Sequence, residues 1–144
     1  MLRASDAALV AVARSLILAR FEPHRHVVGC ALRTRAGRVH AGVHLECRVG
    51  RVAVCVEAVA IGRAATEGDG HEIETIVAVY CTAAEVEPEV VAPCGMCREM
   101  ISDYAPAARV IVPGANGPRV VRASRLLPGK FARPGTGTPS PPSP

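Results

Sequence analysis

Two cysteine segments that must meet in space constrain this chain more than any other feature. Cys55-Val-Glu57 and Pro93-Cys94-Gly-Met-Cys97-Arg98-Glu99 lie far apart along the sequence, yet their three thiols have the spacing of ligands for one metal ion. Any fold open to the chain has to bring the two segments together. A structural zinc site uses four protein ligands and leaves no open position. Here three thiols leave the fourth position for water, and Glu57 sits two residues from the first ligand, where it can handle protons. The pattern describes a site that activates water.

The rest of the chain reads as layers around those segments. Ser5 and Asp6 are N-cap types, and Leu9, Val12, Ala13 and Leu16 recur at helical spacing to about Arg20, where Glu22-Pro23 ends the helix. Val27 to Arg33 and Arg38 to Leu45 read as strands around the hairpin signal Arg35-Ala-Gly37. Cys55 to Thr66 is a helix-forming run stopped by Gly68-Asp-Gly70. Thr75 to Cys81 is β-branched and apolar without alternation, as expected of a strand covered on both faces. Glu85, Glu87 and Glu89 read as a solvated acidic loop. Pro93 opens a second helix to about Asp103, Arg109 to Val112 is a buried strand, Val120 and Val121 an edge strand, and Ser124 to Leu127 a helical turn. The order predicts a mixed sheet with helices packed on it, an α/β layered fold. A chain of 144 residues makes one domain, 1–131, followed by a Pro/Gly/Ser-rich tail at 132–144 with no apolar anchor and the composition of disorder. Both metal-binding segments begin helices, whose N-terminal partial charge stabilises thiolates.

Composition narrows the function class. A formal charge of +4 without any Lys/Arg block, and only two Phe and two Tyr, leave no basic groove or stacking platform, so nucleic acid is not an expected partner. No apolar run approaches membrane-spanning length. Asp6 and Arg14 interrupt the one apolar stretch near the N-terminus, so no signal peptide is expected. The six cysteines are read as reduced and the chain as cytoplasmic, with Cys30 and Cys81 as small buried hydrophobes and Cys47 as structural. Val and Ala supply most of the apolar content and Trp is absent, so a single chain buries little per residue and gains from self-association.

Three thiolates on Zn²⁺ leave a net negative charge that opposes loss of a proton from water, and something nearby must offset it. The helix N-termini contribute, and Arg98 is placed to donate to a ligand sulfur. Glu57 in isolation would be an ordinary helix-surface glutamate; with Pro-Cys-x-x-Cys downstream it becomes the proton carrier of a hydrolytic reaction. A redox role for Cys94-x-x-Cys97 does not explain the Pro before it or the upstream Cys-x-Glu. Metal-activated water beside a glutamate suits replacement of an amino group on a ring carbon by oxygen.

Together Cys55-Val-Glu57, Pro93-Cys-Gly-Met-Cys-Arg98 and Leu126-Leu-Pro-Gly-Lys-Phe131 resemble the small cytidine deaminases, including their blasticidin S deaminase branch. The resemblance runs from Val28-Gly29 to Phe131. It implies a three-layer α/β/α sandwich on a mixed five-stranded sheet, a zinc cofactor on Cys55, Cys94 and Cys97, a small-molecule nucleoside substrate and a homotetramer with loops shared between subunits. It also implies that Gly42-Val-His44-Leu-Glu46 occupies the place of an Asn-x-Glu sugar-binding motif, with Glu46 matching, and that Phe131 covers a bound base across a subunit interface. The departures concern specificity. His44 stands for Asn, His26 for a Phe that packs on the pyrimidine, Ala58 for an Arg beside the thiolates, and Glu99 for Gln. The expected reaction converts a free cytosine nucleoside to its uracil counterpart and ammonia, or acts likewise on a modified aminopyrimidine nucleoside such as blasticidin S.

Overall fold

In the computed structural model, which describes residues 2–135, the central strand is the apolar run β3 (Ile73–Tyr80). One edge of β3 pairs antiparallel with β1 (Val28–Thr34), which forms a hairpin with β2 (Val39–Val43). The other edge is shared. Thr75–Val77 pair in parallel with β5 (Arg109–Val112), and Ala78–Tyr80 pair antiparallel with the short β4 (Glu89–Val91). β6 (Arg119–Arg122) closes the order β2-β1-β3-β5-β6. The five expected strands are present, and β4 is a sixth that the run of glutamates concealed. Glu89 belongs to this strand, while Glu85 and Glu87 precede it.

Strand alternation sends successive side chains to opposite faces, and both faces are covered. Helix α1 (Ala4–Arg20) lays Leu9, Val10, Ala13 and Ile17 on Ala31, Val77, Val79 and Ile111. On the opposite face α2 (Val56–Thr66) and α3 (Gly95–Tyr104) pack Val56, Ala60, Ile61 and Ile101 on Cys30, Leu32, Ile76 and Val110. This is the expected three-layer sandwich, and it explains why β3 shows no apolar–polar alternation. Each fully buried Ile or Leu here contributes about 1.5–3 kcal/mol. Close approach of the layers depends on small residues. A Cβ on Gly29 would lie 2.8 Å from both the Ala13 carbonyl oxygen and Ile17 Cβ, and one on Gly42 would lie 2.8 Å from Val59 Cγ1.

Two expectations need correction. Asp6 does not cap α1: it lies inside the first turn, fully buried, and its carboxylate accepts hydrogen bonds from Arg109 at 2.6 and 3.1 Å and from Arg33 at 3.1 Å. Its acceptor oxygens are drawn to the sheet by two guanidinium groups rather than to the helix's own N–H groups. α3 begins at Gly95 rather than Pro93, because Cys94 keeps extended backbone as the N-cap residue. Residues 136–144 of the expected 132–144 tail lie outside the described residues.

Candidate metal centre

The three cysteines converge where two helices start. Cys55 is the N-cap residue of α2 and Cys94 that of α3, while Cys97 lies in the first turn of α3. Their sulfurs all lie within 4.8 Å of one another, with Cys55 Sγ and Cys94 Sγ 3.6 Å apart. Two sulfurs each about 2.3 Å from a tetrahedral ion would stand roughly 3.8 Å apart, so the Cys55–Cys94 separation suits a shared zinc ion and Cys97 is near enough to be its third ligand. Burial is graded across the triad: Cys97 is buried, Cys55 half-buried and Cys94 exposed. The three thiols that would hold the ion are therefore most accessible on the Cys94 side.

Electrostatics differ across the three thiols. Burial pushes Cys97 far up, and the Glu57 carboxylate beside it, which is also hydrogen-bonded to it, adds to the effect. Burial also raises Cys55, with the Cys94 thiol adding to it. Burial acts to raise Cys94 too, and is its largest single influence. The main-chain N–H of Cys97, the neighbouring thiols and the N–H of Met96 outweigh it and bring Cys94 below the ordinary thiol value. Those N–H groups are the unsatisfied donors of a helix N-terminus, so α3 itself prepares one thiolate.

Glu57 is in the first turn of α2 and only 6% exposed. A buried carboxylate with no cationic partner is costly unless it faces something polar, and the triad is what it faces. Arg98 is placed differently from its expected contact with a sulfur. Its Nε donates to the Pro93 carbonyl oxygen at 2.9 Å and its Nη1 to that of Leu126 at 3.2 Å. It thus ties the segment entering Cys94 to the turn after β6.

The substrate-side residues fall into two groups. Leu45 and Val54 exchange both main-chain hydrogen bonds, at 3.1 and 2.9 Å, in an isolated antiparallel bridge just past the end of β2. Continued by one residue, that register sets His44 opposite Cys55 and Glu46 opposite Ala53, on the same side. The 44–46 segment is thereby joined to the metal loop. His26 Nδ1 lies 2.7 Å from the His44 carbonyl oxygen, so His26 braces the backbone of this segment. His44 Nε2 lies 3.5 Å from Glu46 Oε2, while His44 Nδ1 is buried without a hydrogen-bond partner among the described residues. Phe131, by contrast, is 74% exposed, and one chain does not bring it to the triad. Lys130, its neighbour, is anchored on α3 through Ser102, Asp103 and Glu99.

Several residues carry no signal in the sequence. His40 is buried, with Nε2 2.7 Å from Asp69 Oδ2, and joins β2 to the loop after α2. A cleft of about 460 Å³ is lined by His24, Arg25, Glu46, Cys47 and Arg48. Arg25 and Arg48 could not be singled out beforehand, because isolated arginines on loops resemble any solvated surface. Among the described residues, Cys55, Cys94 and Cys97 are the one group of three or more metal-ligating side chains that converges.

Comparison with known proteins agrees with this geometry. The family model for the cytidine and deoxycytidylate deaminase zinc-binding region matches residues 4–113. The chain is 44% identical over 132 residues to the blasticidin-S deaminase of Bacillus cereus, covering 89% of this chain and 93% of that one. It is 32% identical over 109 residues to the cytidine deaminase of Halalkalibacterium halodurans, covering 74% and 78%. Among solved structures, the cytidine deaminase from Burkholderia pseudomallei superposes with a TM-score of 0.71 at 28% identity, covering 87% of this chain and 98% of that one. The cytidine deaminase from Bacillus anthracis, at 20% identity and a TM-score of 0.75 over 88% and 89%, shares the fold.

Proposed function

The chain belongs to the cytidine and deoxycytidylate deaminase family and is a zinc-dependent hydrolytic deaminase, and from that premise we propose that it converts a free cytosine nucleoside, cytidine or deoxycytidine, to the uracil nucleoside and ammonia. The observation that carries this reading is the buried Glu57 carboxylate facing three convergent thiols.

Cys55, Cys94 and Cys97 are assigned as the metal ligands and Glu57 as the catalytic residue. Zinc, when bound, supplies the polarisation that makes water acidic enough to attack at neutral pH. Glu57 takes the proton from that water and delivers it to the ring nitrogen next to the carbon under attack. It then carries the second proton to the departing amine, so that water and nucleoside give the uracil carbonyl and ammonia with no proton left over. Burial keeps Glu57 out of exchange with bulk water during this transfer. The α2 and α3 N-termini offset the charge of the thiolates. Arg98 acts on the site through the main chain, by holding Pro93 and so the entry to Cys94.

Glu46 and His44 are assigned to the sugar, at the register position beside Cys55, with His26 fixing the His44 backbone. Phe131 is assigned to a neighbouring subunit's site in a homotetramer. Its 74% exposure, together with exposed Val49, Val52 and Met96, is apolar surface that a partner copy would cover. Sedimentation at several protein concentrations tests that assembly. A reducing, cytoplasmic setting belongs to the same reading, since the ligand thiols must remain reduced; among the described residues no helix is long and apolar enough to cross a membrane.

A second reading is the same chemistry on a modified nucleoside such as blasticidin S. It is favoured by the 44% identity to the Bacillus cereus enzyme and by His44 at the sugar position. Initial rates on cytidine, deoxycytidine and blasticidin S separate the two. The test of the mechanism is Glu57→Gln: zinc stays at about one ion per chain while ammonia release falls by roughly 10²-fold or more. Undiminished turnover in that variant would remove Glu57 from the reaction.

A further inference from the structure

On the basis of the deaminase reading, we propose that the cleft beside Glu46 is an anion subsite, in which Arg25 and Arg48 receive a carboxylate or phosphate carried by the sugar of the substrate. The cleft's 460 Å³ is within the range of small-molecule sites. Its walls come from two tight turns tied to one another. Glu22 and His26 exchange main-chain hydrogen bonds around Pro23-His24-Arg25, and the Glu46 N–H donates to the Arg25 carbonyl oxygen at 3.0 Å. The Leu45–Val54 bridge then connects this wall to Cys55. Glu46, assigned to the sugar, also lines this cleft, so the cleft is space adjacent to that position for a further substituent of the sugar.

The charge in the cleft is unbalanced. Glu46 is the one acid among the lining residues, and its carboxylate is already engaged: Oε1 accepts from the Cys47 N–H at 3.1 Å, and Oε2 faces His44 Nε2. Neither the Arg25 nor the Arg48 guanidinium has a hydrogen-bond or ion-pair partner among the described residues. Arg14, Arg33, Arg35, Arg38, Arg63 and Arg109 meet carboxylates; what sets Arg25 and Arg48 apart from the other arginines without a carboxylate is that they line one cleft beside Glu46. Two guanidinium groups lining one concavity bring like charge to it, and each has the planar donor fork that suits a planar or tetrahedral anion. His24, which also lines the cleft, has a φ of +64°, a left-handed backbone conformation that costs a non-glycine residue energy.

The experiment compares cytosine nucleosides differing only at the sugar's terminal carbon: cytidine, cytidine 5′-carboxylate and cytidine 5′-monophosphate. With the zinc-loaded enzyme, kcat/KM for an anionic form should exceed that for cytidine by on the order of tenfold or more. The advantage should shrink as salt is raised. Whichever anion gains more identifies its chemistry. In Arg25→Gln/Arg48→Gln the ratio of anionic to neutral substrate should fall toward one, and Arg25→Lys/Arg48→Lys should restore part of it. Calorimetric binding of the same three compounds to Glu57→Gln, which holds substrate without consuming it, should rank them alike. Equal kcat/KM for all three, or a preference that persists in the double Gln variant, refutes the subsite while leaving the deaminase reading standing. Absence of turnover on every compound counts against the deaminase reading instead, and binding that ignores the anion then refutes the subsite separately.

Discussion

Asp6→Ala tests the claim that a single carboxylate holds α1 onto the sheet. The Asp6 side chain is 0% exposed and accepts three hydrogen bonds from two arginines on β1 and β5. After its removal Arg33 still reaches Glu74 Oε2 at 3.0 Å, the Ser5 carbonyl oxygen at 2.7 Å and Thr75 Oγ1 at 3.2 Å. Arg109 is worse placed, since both its side-chain hydrogen bonds among the described residues go to Asp6. Removing one partner of a buried pair costs about 3–5 kcal/mol. Both arginines keep some contact with water, at 13% and 15% exposure, so the cost should lie near the lower limit, about 3 kcal/mol. Urea unfolding at matched protein concentration should show the midpoint lower by about 1–2 M. Adding Arg109→Ala to Asp6→Ala should cost little more, because that charge is already unpaired. Acid should erase the difference. Burial opposes ionisation, but Arg109 and then Arg33 hold the Asp6 carboxyl below its ordinary 3.8. Its contribution is therefore full above that value and is lost as pH falls through the lower, folded one. An Asp6→Ala protein within about 1 kcal/mol of wild type at neutral pH would refute the anchoring role.

The remaining predictions concern the site and the layers around it. Arg98→Ala should weaken zinc retention by roughly tenfold or more, measured by competition with a chelator, while far-ultraviolet circular dichroism stays native; unchanged retention would mean that the Pro93 carbonyl needs no bracing. Metal removal by a chelator should abolish ammonia release and lower the melting temperature, and added zinc should restore both. Full activity in verified metal-free protein contradicts the mechanism. Gly29→Ala should destabilise by about 1–3 kcal/mol, because its Cβ would meet the α1 backbone at 2.8 Å. Gly62→Ala, in open space on α2, should instead stabilise by about 0.5–1 kcal/mol; similar effects of the two substitutions in denaturant titrations would mean that α1 does not approach β1 so closely.

The metal centre was legible because its chemistry is local. Cys55, Glu57, Cys94 and Cys97 each sit at or near a helix start that the sequence marks by spacing and by breakers, and only one convergence makes chemical use of all four. The strands were legible for a related reason: β3 and β5 are apolar runs too short for helices, and doubly covered strands need no alternation. Where the reading failed, a long-range partner decided the outcome. Asp6 looked like a cap because capping depends on nearest neighbours, whereas Arg33 and Arg109 reach it from across the fold. Glu89 looked like loop because its strand is made by pairing with Tyr80, not by propensity.

Ligand type and the α/β class are matters of spacing and period along the chain, and the sequence alone determined them. Tertiary structure decided which face of each element is covered, that Arg98 holds carbonyls, and that Arg25 and Arg48 share a cleft with Glu46. The physical reason is range. Dihedral preferences and period are set within a few residues, but the free energy of a buried charge or an unpaired guanidinium depends on groups that only folding brings near.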